Sequence, residues 1–355
     1  VGGTGGHVFP GLNLAKHLVE ENYLVDLVSD SRGLKYLKSY ENLKIFKLPS
    51  SPIIKENLFK TIFSFLIIFY SVFRSIIFLI LNRPSLIIGM GGYASFPICV
   101  AATVLRIQFI IYENNLLIGK ANKYLLPFTK KILVSSKEIE GIPKKFENKV
   151  LKIGNIIKKE IVDFSKLEIK KISNKKMSIL VLGGSQAAKI FAEILPEIFN
   201  KCSKEGIFLK IYQHCLPNQN DILKIFYEKN NIDFEIFNFS HNLEKYFLKV
   251  NLAITRSGSS MLAELTNANI PFISVPLPSS ADDHQLKNAI YYKRKNLALL
   301  IEEKDLNDKL FYLIKDICEN EQIIDKIIRT QKQYSDKNVY KNINLVLKEI
   351  INEKN

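Results

Sequence analysis

Short apolar runs alternate with longer helical stretches along the chain, a pattern that predicts an α/β protein with parallel sheets. In the first half the strand-like runs are Leu24–Val28, Leu43–Leu48, Leu86–Ile88, Gln108–Ile111 and Lys131–Val134. In the second half they are Ile179–Leu182, Phe208–Tyr212, Phe234–Phe237, Leu252–Thr255 and Pro271–Val275. Between the two sets the composition shifts toward Lys, Ser and Asn over Gly154–Asn174, which places a linker near Gly154–Lys159. The closing segment, Ile323–Asn355, predicts helix. The expected organisation is a domain over 1–154, a second over 155–334, and a final helical piece, 335–355, packing back on the first. A chain of 355 residues is long enough for two cores of ordinary size.

One stretch breaks the alternation. From Leu58 to Leu81 nearly every position is apolar or aromatic, interrupted by Lys60, Thr61, Arg74 and the serines Ser64, Ser71 and Ser75. About 20 apolar residues are enough to cross a bilayer, so a spanning helix is one reading. Arg74 and the serines weigh against it, and a strand and a glycine turn follow at once, as within an α/β unit. The two other readings are a helix buried in the first domain and an amphipathic helix lying on a membrane surface.

Glycine-rich turns stand where anions would bind. The first is Gly2-Gly3-Thr4-Gly5-Gly6-His7; the second is Gly183-Gly184-Ser185-Gln186, directly after Ile179–Leu182. Glycine lets the backbone turn tightly and bring N–H groups to an anion, and a helix N-terminus adds partial positive charge behind them. Neither turn matches the dinucleotide G-x-G-x-x-G in its full context. Two such turns about one domain apart predict two Rossmann-like units facing a shared cleft, suited to an enzyme with two phosphorylated substrates. A turn of this kind follows a strand, so a short strand is expected ahead of Val1.

His7, at the end of the first turn, is suited to act as a general base, or to cap the helix or bind phosphate without proton transfer. A further turn, Gly89-Met90-Gly91-Gly92-Tyr93, adds backbone amides at the same sheet edge. Tyr112-Glu113-Asn114-Asn115 then ends a strand with polar groups fit for substrate hydroxyls, or for an ordinary polar loop. In the second half, Thr255-Arg256-Ser257-Gly258-Ser259-Ser260 should start a helix, with Glu264 eight residues beyond Arg256. Arginine can neutralise a phosphate and a glutamate can accept from both hydroxyls of a ribose; a capped helix with a surface salt bridge is the plain alternative. Asp282-Asp283-His284-Gln285 with Asn288 offers amides and an imidazole to sugar hydroxyls.

Charge narrows the partners. Fifty Lys and Arg against 35 Asp and Glu give +15, which favours anionic partners. Part of that excess is compositional bias, since the chain is heavy in Lys, Asn and Ile and has no Trp. Nucleic acid is disfavoured, because no basic tract interleaved with aromatics occurs. Cys99, Cys202, Cys215 and Cys318 form no C-x-x-C pair, which points away from disulfides and structural zinc and toward a reducing compartment. No D-x-D, no P-loop signature and no G-x-S-x-G elbow is present, so metal-held sugar nucleotide, P-loop ATPase and hydrolase chemistry find no support.

Taken in order from Gly2 to about Asn288, these motifs resemble the MurG family of bacterial N-acetylglucosaminyltransferases. The resemblance implies the GT-B architecture: α/β, two Rossmann-like domains with parallel sheets facing a central cleft. It implies inverting transfer of GlcNAc from UDP-GlcNAc to the C4 hydroxyl of MurNAc in lipid I, giving lipid II in peptidoglycan synthesis. The implied place is the cytoplasmic face of the bacterial inner membrane, bound peripherally. The implied partners are UDP-GlcNAc, lipid I, an anionic membrane surface and other cell-wall enzymes, with no nucleic acid, no cofactor and no metal.

By the same resemblance, His7 or Glu113 is the base. Donor contacts fall to Thr4, Gly5, Gly6, Asn115, Lys158, Ser185, Gln186, Ser240, Arg256, Gly258, Glu264, Gln285 and Asn288, with the uracil near Phe239 and Ser240. Acceptor contacts fall to Thr4, His7, Gly91, Gly92 and Tyr93, with Glu113 and Asn115 on the same side. The chain departs from the family pattern at Gly154-Asn155-Ile156-Ile157-Lys158, where the last residue is usually Arg, and at Ala187, usually Gly. Tyr112 replaces a common His, and Gln213-His214-Cys215 replaces a common His-Gln. Rival readings are a GT-B enzyme with another lipid acceptor, and a nucleotide-binding membrane-surface protein without catalysis.

Overall fold

The computed structural model describes residues 1–37, 43–51, 57–164, 175–184, 188–240 and 242–352. The chain divides into two compact units, Val1–Ile157 with Asp336–Asn355, and Lys158–Ser335.

In the first unit β1 (Asp26–Ser29) pairs in parallel with β2 (Lys44–Lys47). A second parallel sheet holds β3 (Ile87–Gly89), β4 (Phe109–Glu113), β5 (Ile132–Val134) and β6 (Val150–Lys152), in that order. β4 is buried at every position, as an unbroken apolar run should be in a sheet covered on both faces. The nitrogen of Val1 donates to the Val28 carbonyl at 2.8 Å, so Val1 lies alongside β1.

The second unit is one parallel sheet of β7 (Lys176–Leu182), β8 (Phe208–His214), β9 (Asp233–Phe237), β10 (Leu252–Arg256), β11 (Phe272–Val275) and β12 (Leu299–Leu300). Its spatial order is β12-β11-β10-β7-β8-β9. The order reverses between β7 and β10, the switch point beyond whose carboxyl ends open α/β sheets bind ligands. Gly183-Gly184 leaves β7 and Ser257-Gly258 leaves β10, so both turns open at that point. All ten strand-like runs overlap a strand. β6 and β12 have no counterpart in the sequence pattern, because edge strands of two or three residues bury too little to leave one.

The closing segment is two helices rather than one. Gln322–Gln333 belongs to the second unit, where buried Gln331 donates from Nε2 to the carbonyls of Ile270 (3.0 Å) and Leu297 (2.8 Å). Val339–Asn352 belongs to the first, where Ile343, Leu347 and Ile350 pack with Leu14, Leu18 and Ile110. Asp336, between them, accepts from the Asn155 backbone amide at 2.9 Å and from its Nδ2 at 3.0 Å.

Leu58–Asn82 is one 25-residue helix, and its burial corrects the reading of a core helix. Ser64, Ser71 and Ser75 face inward with Leu79, and both Ser71 and Ser75 are fully buried. Their hydroxyls are satisfied by backbone: Ser71 by Pro49 O, Ser75 by Ser71 O and Ser64 by Lys60 O. Phe59, Phe63, Phe65, Leu66, Phe69, Phe73 and Leu81 are exposed, Phe69 by 75%.

Candidate active site

In the first unit, Thr4 caps the helix Gly5–Glu20 in an extended conformation. Its carbonyl accepts from the amides of His7 (3.2 Å) and Val8 (3.3 Å), while its hydroxyl makes no capping bond. What holds the turn is Asp30, just past β1, a residue that the motifs did not single out. Its Oδ1 accepts from the amides of Gly3 (3.0 Å) and Gly33 (2.8 Å). Its Oδ2 accepts from Ser50 Oγ (2.8 Å) and Arg32 Nε (2.9 Å). Burial alone would raise this carboxyl, but the four donors outweigh it and hold the group below its ordinary 3.8. An acid at a strand end, ahead of a second glycine, is the signal that could have found it.

The His7 ring lies against the next glycine turn. A Cβ on Gly91 would stand 3.0 Å from His7 Cε1 and Nδ1, and one on Gly92 3.0 Å from Cδ2. Both glycines also have positive φ, +81° and +72°, so ring and backbone alike require glycine here. Tyr93 follows, exposed.

Glu113, at the end of β4, is buried with both oxygens engaged. Oε1 accepts from the Asn115 amide (3.1 Å) and Asn115 Nδ2 (3.0 Å); Oε2 accepts from the Gly119 amide (2.9 Å) and Asn122 Nδ2 (3.1 Å). Asn114 Nδ2 donates to Gly6 O at 3.0 Å, tying this loop to the first turn. Asn122, also missed in the motif reading, gives its Nδ2 to Tyr112 O as well (3.1 Å), and its Oδ1 is buried without a partner. Thr4, Gly5, Gly6, His7, Gly91, Gly92, Glu113 and Asn115 thus share one edge of this unit.

In the second unit, Ser185 and Gln186 lie outside the described residues. Gly184 has φ +76°, and a Cβ on it or on Gly258 would meet nothing within 4 Å among the described residues. Gln285 and Asn288 brace the turn after β10. Gln285 Oε1 accepts from the amides of Ser257 (3.2 Å) and Leu277 (3.1 Å), and Asn288 Nδ2 donates to Ser257 O (3.1 Å). Asp282 and Asp283, immediately before the helix His284–Arg294 that carries Gln285 and Asn288, are both left-handed at φ 52° and 55°, a strained pair of the sort that gathers at ligand sites.

Lys158 pairs with Glu244 at 3.2 Å. The Glu264 carboxyl is pushed up to about 7, mainly by burial; Lys158 pulls it down and Glu244 adds to the rise. Ser240 Oγ accepts from the Asn242 amide at 3.2 Å. Asn238 fixes the loop before it, donating from Nδ2 to Cys215 O and Asn220 Oδ1, both at 3.0 Å. Arg256 is buried, its guanidinium on Glu303 and over the Phe191 ring, with the centroid 4.8 Å away. Among the described residues no three His, Cys, Asp or Glu side chains group as metal ligands.

Two parallel-sheet units with glycine turns at their strand ends share the fold of GT-B glycosyltransferases. Residues 1–134 match the glycosyltransferase family 28 N-terminal domain and residues 178–343 its C-terminal domain. A Pelagibacter ubique protein named UDP-N-acetylglucosamine–N-acetylmuramyl-(pentapeptide) pyrophosphoryl-undecaprenol N-acetylglucosamine transferase is 36% identical, covering 99% of this chain and 97% of its own. The Rickettsia canadensis protein of the same name is 34% identical over 91% of each. The crystal structure of Acinetobacter baumannii MurG shares the fold, with a TM-score of 0.75 at 22% identity over 97% of this chain and 96% of that one. The chain belongs to glycosyltransferase family 28, within the MurG family of N-acetylglucosaminyltransferases.

Asp30 generates a pH-dependent expectation. A carboxyl depressed in the folded state contributes stability above its unfolded value and loses it as pH falls through the folded one. Asp30→Asn should cost about 1–3 kcal/mol at pH 7, and the gap from wild type should close below pH 3.8. Urea unfolding at pH 7 and pH 3 measures it; an equal gap at both would refute the role.

Proposed function

We propose that the chain transfers GlcNAc from UDP-GlcNAc to the C4 hydroxyl of MurNAc in lipid I, with inversion, forming lipid II. The observation that carries this is the agreement, over 99% of the chain, with a relative named for that transfer. The chain's own residues suit the two demands of the reaction. The acceptor hydroxyl must lose a proton, and the departing UDP must be stabilised as its charge grows.

For the proton, His7 is the base. An imidazole titrates near neutrality, and this one lies on two glycines that add no side chain around it. Glu113 is the weaker rival, because four donors already occupy its lone pairs. It serves the loop that carries Asn115. Thr4, Gly91, Gly92 and Tyr93 meet the acceptor's diphosphate and sugar.

For the leaving group, the amides of the turn after β7, with Ser185, Gln186 and Arg256, take up the developing charge. Gly5 and Gly6 add amides, and Lys158 a cation. Glu264 receives the ribose hydroxyls, and the uracil rests against the backbone near Phe239 and Ser240. Gln285 and Asn288 hold the donor sugar; the Oε1 of Gln285 is committed to two amides, so its Nε2 is the atom left to donate.

The enzyme works at the cytoplasmic face of the inner membrane, where the outward apolar face of Leu58–Asn82 enters the interface and the net charge of +15 favours anionic lipid. Other cell-wall enzymes are its expected protein neighbours.

Radiolabelled GlcNAc should pass from UDP-GlcNAc to a short-chain lipid I analogue with EDTA present. His7→Ala should lower kcat by about 10²–10⁴, with Glu113→Gln leaving the pH profile unchanged. Donor binding without product would send the acceptor assignment elsewhere.

Ribose hydroxyls donate, so they prefer the Glu264 carboxylate, whose neutral form is favoured below about pH 7. Uridine affinity should therefore rise about tenfold from pH 6 to pH 8, and Glu264→Gln should flatten the curve in calorimetry. An unchanged slope in the variant would remove Glu264 from the ribose.

Vesicles with an anionic lipid should sediment the wild-type protein. The double change Phe65→Ser and Phe69→Ser should release it while sparing activity on a water-soluble acceptor analogue. Retained binding would exclude this face as the anchor.

A further inference from the structure

Arg256 is not held ready for a diphosphate. It ends β10 beside the strand reversal, and its residue is 8% exposed. Nη1 donates to the carbonyls of Val275 (3.4 Å) and Pro276 (3.3 Å), at the end of the neighbouring strand β11. Nη2 contacts Glu303 Oε2, and the guanidinium carbon lies over Phe191 in the helix that follows the glycine turn of β7. A guanidinium this enclosed needs an anion, because an unpaired buried charge is strongly unfavourable.

Glu303 supplies that anion from the short turn Glu303–Asp305 that leaves the two-residue edge strand β12. The other acids of this turn have their own lysines: Glu302 with Lys304 at 3.1 Å, and Asp305 with Lys309 at 2.9 Å. Glu303 is also the more accessible member of its pair, its side chain 24% exposed against 9% for Arg256.

We propose that Glu303 is the resident counter-ion of Arg256, and that the donor's diphosphate binds by displacing it. The proposal rests on the reading of Arg256 as a diphosphate ligand. While Glu303 is in place the pair is neutral overall, and an incoming diphosphate meets a carboxylate close to the cation it seeks. Only an anion with more charge and more acceptor oxygens than one carboxylate exchanges with it favourably. The same exchange run backwards returns Glu303 to Arg256 as UDP leaves, so the buried cation is never left unpaired. Glu303 thereby tunes the site toward nucleoside diphosphates and limits product retention.

Calorimetry of UDP and of uridine against the full chain tests this, because only UDP carries the competing charge. Glu303→Gln keeps an acceptor for the guanidinium, and Glu303→Ala removes it. Both should raise the preference for UDP over uridine about tenfold, the scale of removing one like charge at a partly screened site. Uridine affinity at the wild-type value certifies a folded site in each variant. A preference for UDP that stays unchanged or falls in both variants overturns the proposal and makes Glu303 a support for Arg256. Arg256→Gln reports on the underlying reading separately. If that variant keeps the wild-type preference for UDP, Arg256 is no diphosphate ligand at all; if it loses the preference while the Glu303 variants gain none, only the counter-ion exchange fails.

Discussion

Side-chain oxygens that tie down backbone amides support the candidate site loops of this protein. Asp30 Oδ1 bridges the amides of Gly3 and Gly33, and Gln285 Oε1 bridges those of Ser257 and Leu277. Glu113 divides the work between its oxygens, one on the Asn115 amide and one on that of Gly119. Amides beyond a strand end have lost their ladder partners, and burying them unpaired is unfavourable. An acceptor with spare lone pairs solves that for two segments at once and fixes their spacing. Glycine turns need such a clamp most, because the freedom that lets glycine approach an anion also lets the turn wander. At Gly184 and Gly258 a Cβ would meet nothing within 4 Å among the described residues.

The long helix Leu58–Asn82 obeys the opposite arrangement from an ordinary surface helix. Its buried side is lined with serines whose hydroxyls bond to carbonyls, so burying them leaves no polar atom unmet. Small side chains also permit close approach to the neighbouring helix Gly92–Val104. The phenylalanines and leucines are left outside, on a contiguous face far more apolar than water tolerates without another use for it. A second apolar phase, such as the lipid interface, gives those rings the burial that the protein does not.

The sequence carried the strands and the glycine turns because both are local: a run of apolar residues, or a required φ, leaves its mark at one place. It also carried the serine stripe, but in disguise. Spacings of seven and four put Ser64, Ser71 and Ser75 on one face of a helix, yet among so many apolar neighbours they look like dilution rather than a seam. Asn122 and Glu303 left no local mark, and Asp30 only the faint one of an acid between a strand and a glycine. Each matters through a partner that the fold brings from elsewhere: Asp30 by Gly3, Asn122 by Glu113 and Glu303 by Arg256. What the sequence did not show is the contact made at that break, where Asp336 receives Asn155 from the other end of the unit.

Position 158 shows how one departure from the family pattern changes the electrostatics of the second unit. An arginine presents a planar fork of donors that can serve two carboxylates at once, whereas a lysine is a compact point charge. Lys158 gives its bonds to Glu244, with Nζ 3.2 Å from one oxygen and 3.4 Å from the other. At Glu264 the attraction of Lys158 is outweighed by burial, and Glu244 adds repulsion. The carboxyl is thereby pushed up to about 7. The lysine leaves the proposed ribose ligand poised between two protonation states, so ligand hydroxyls must help to draw off its proton.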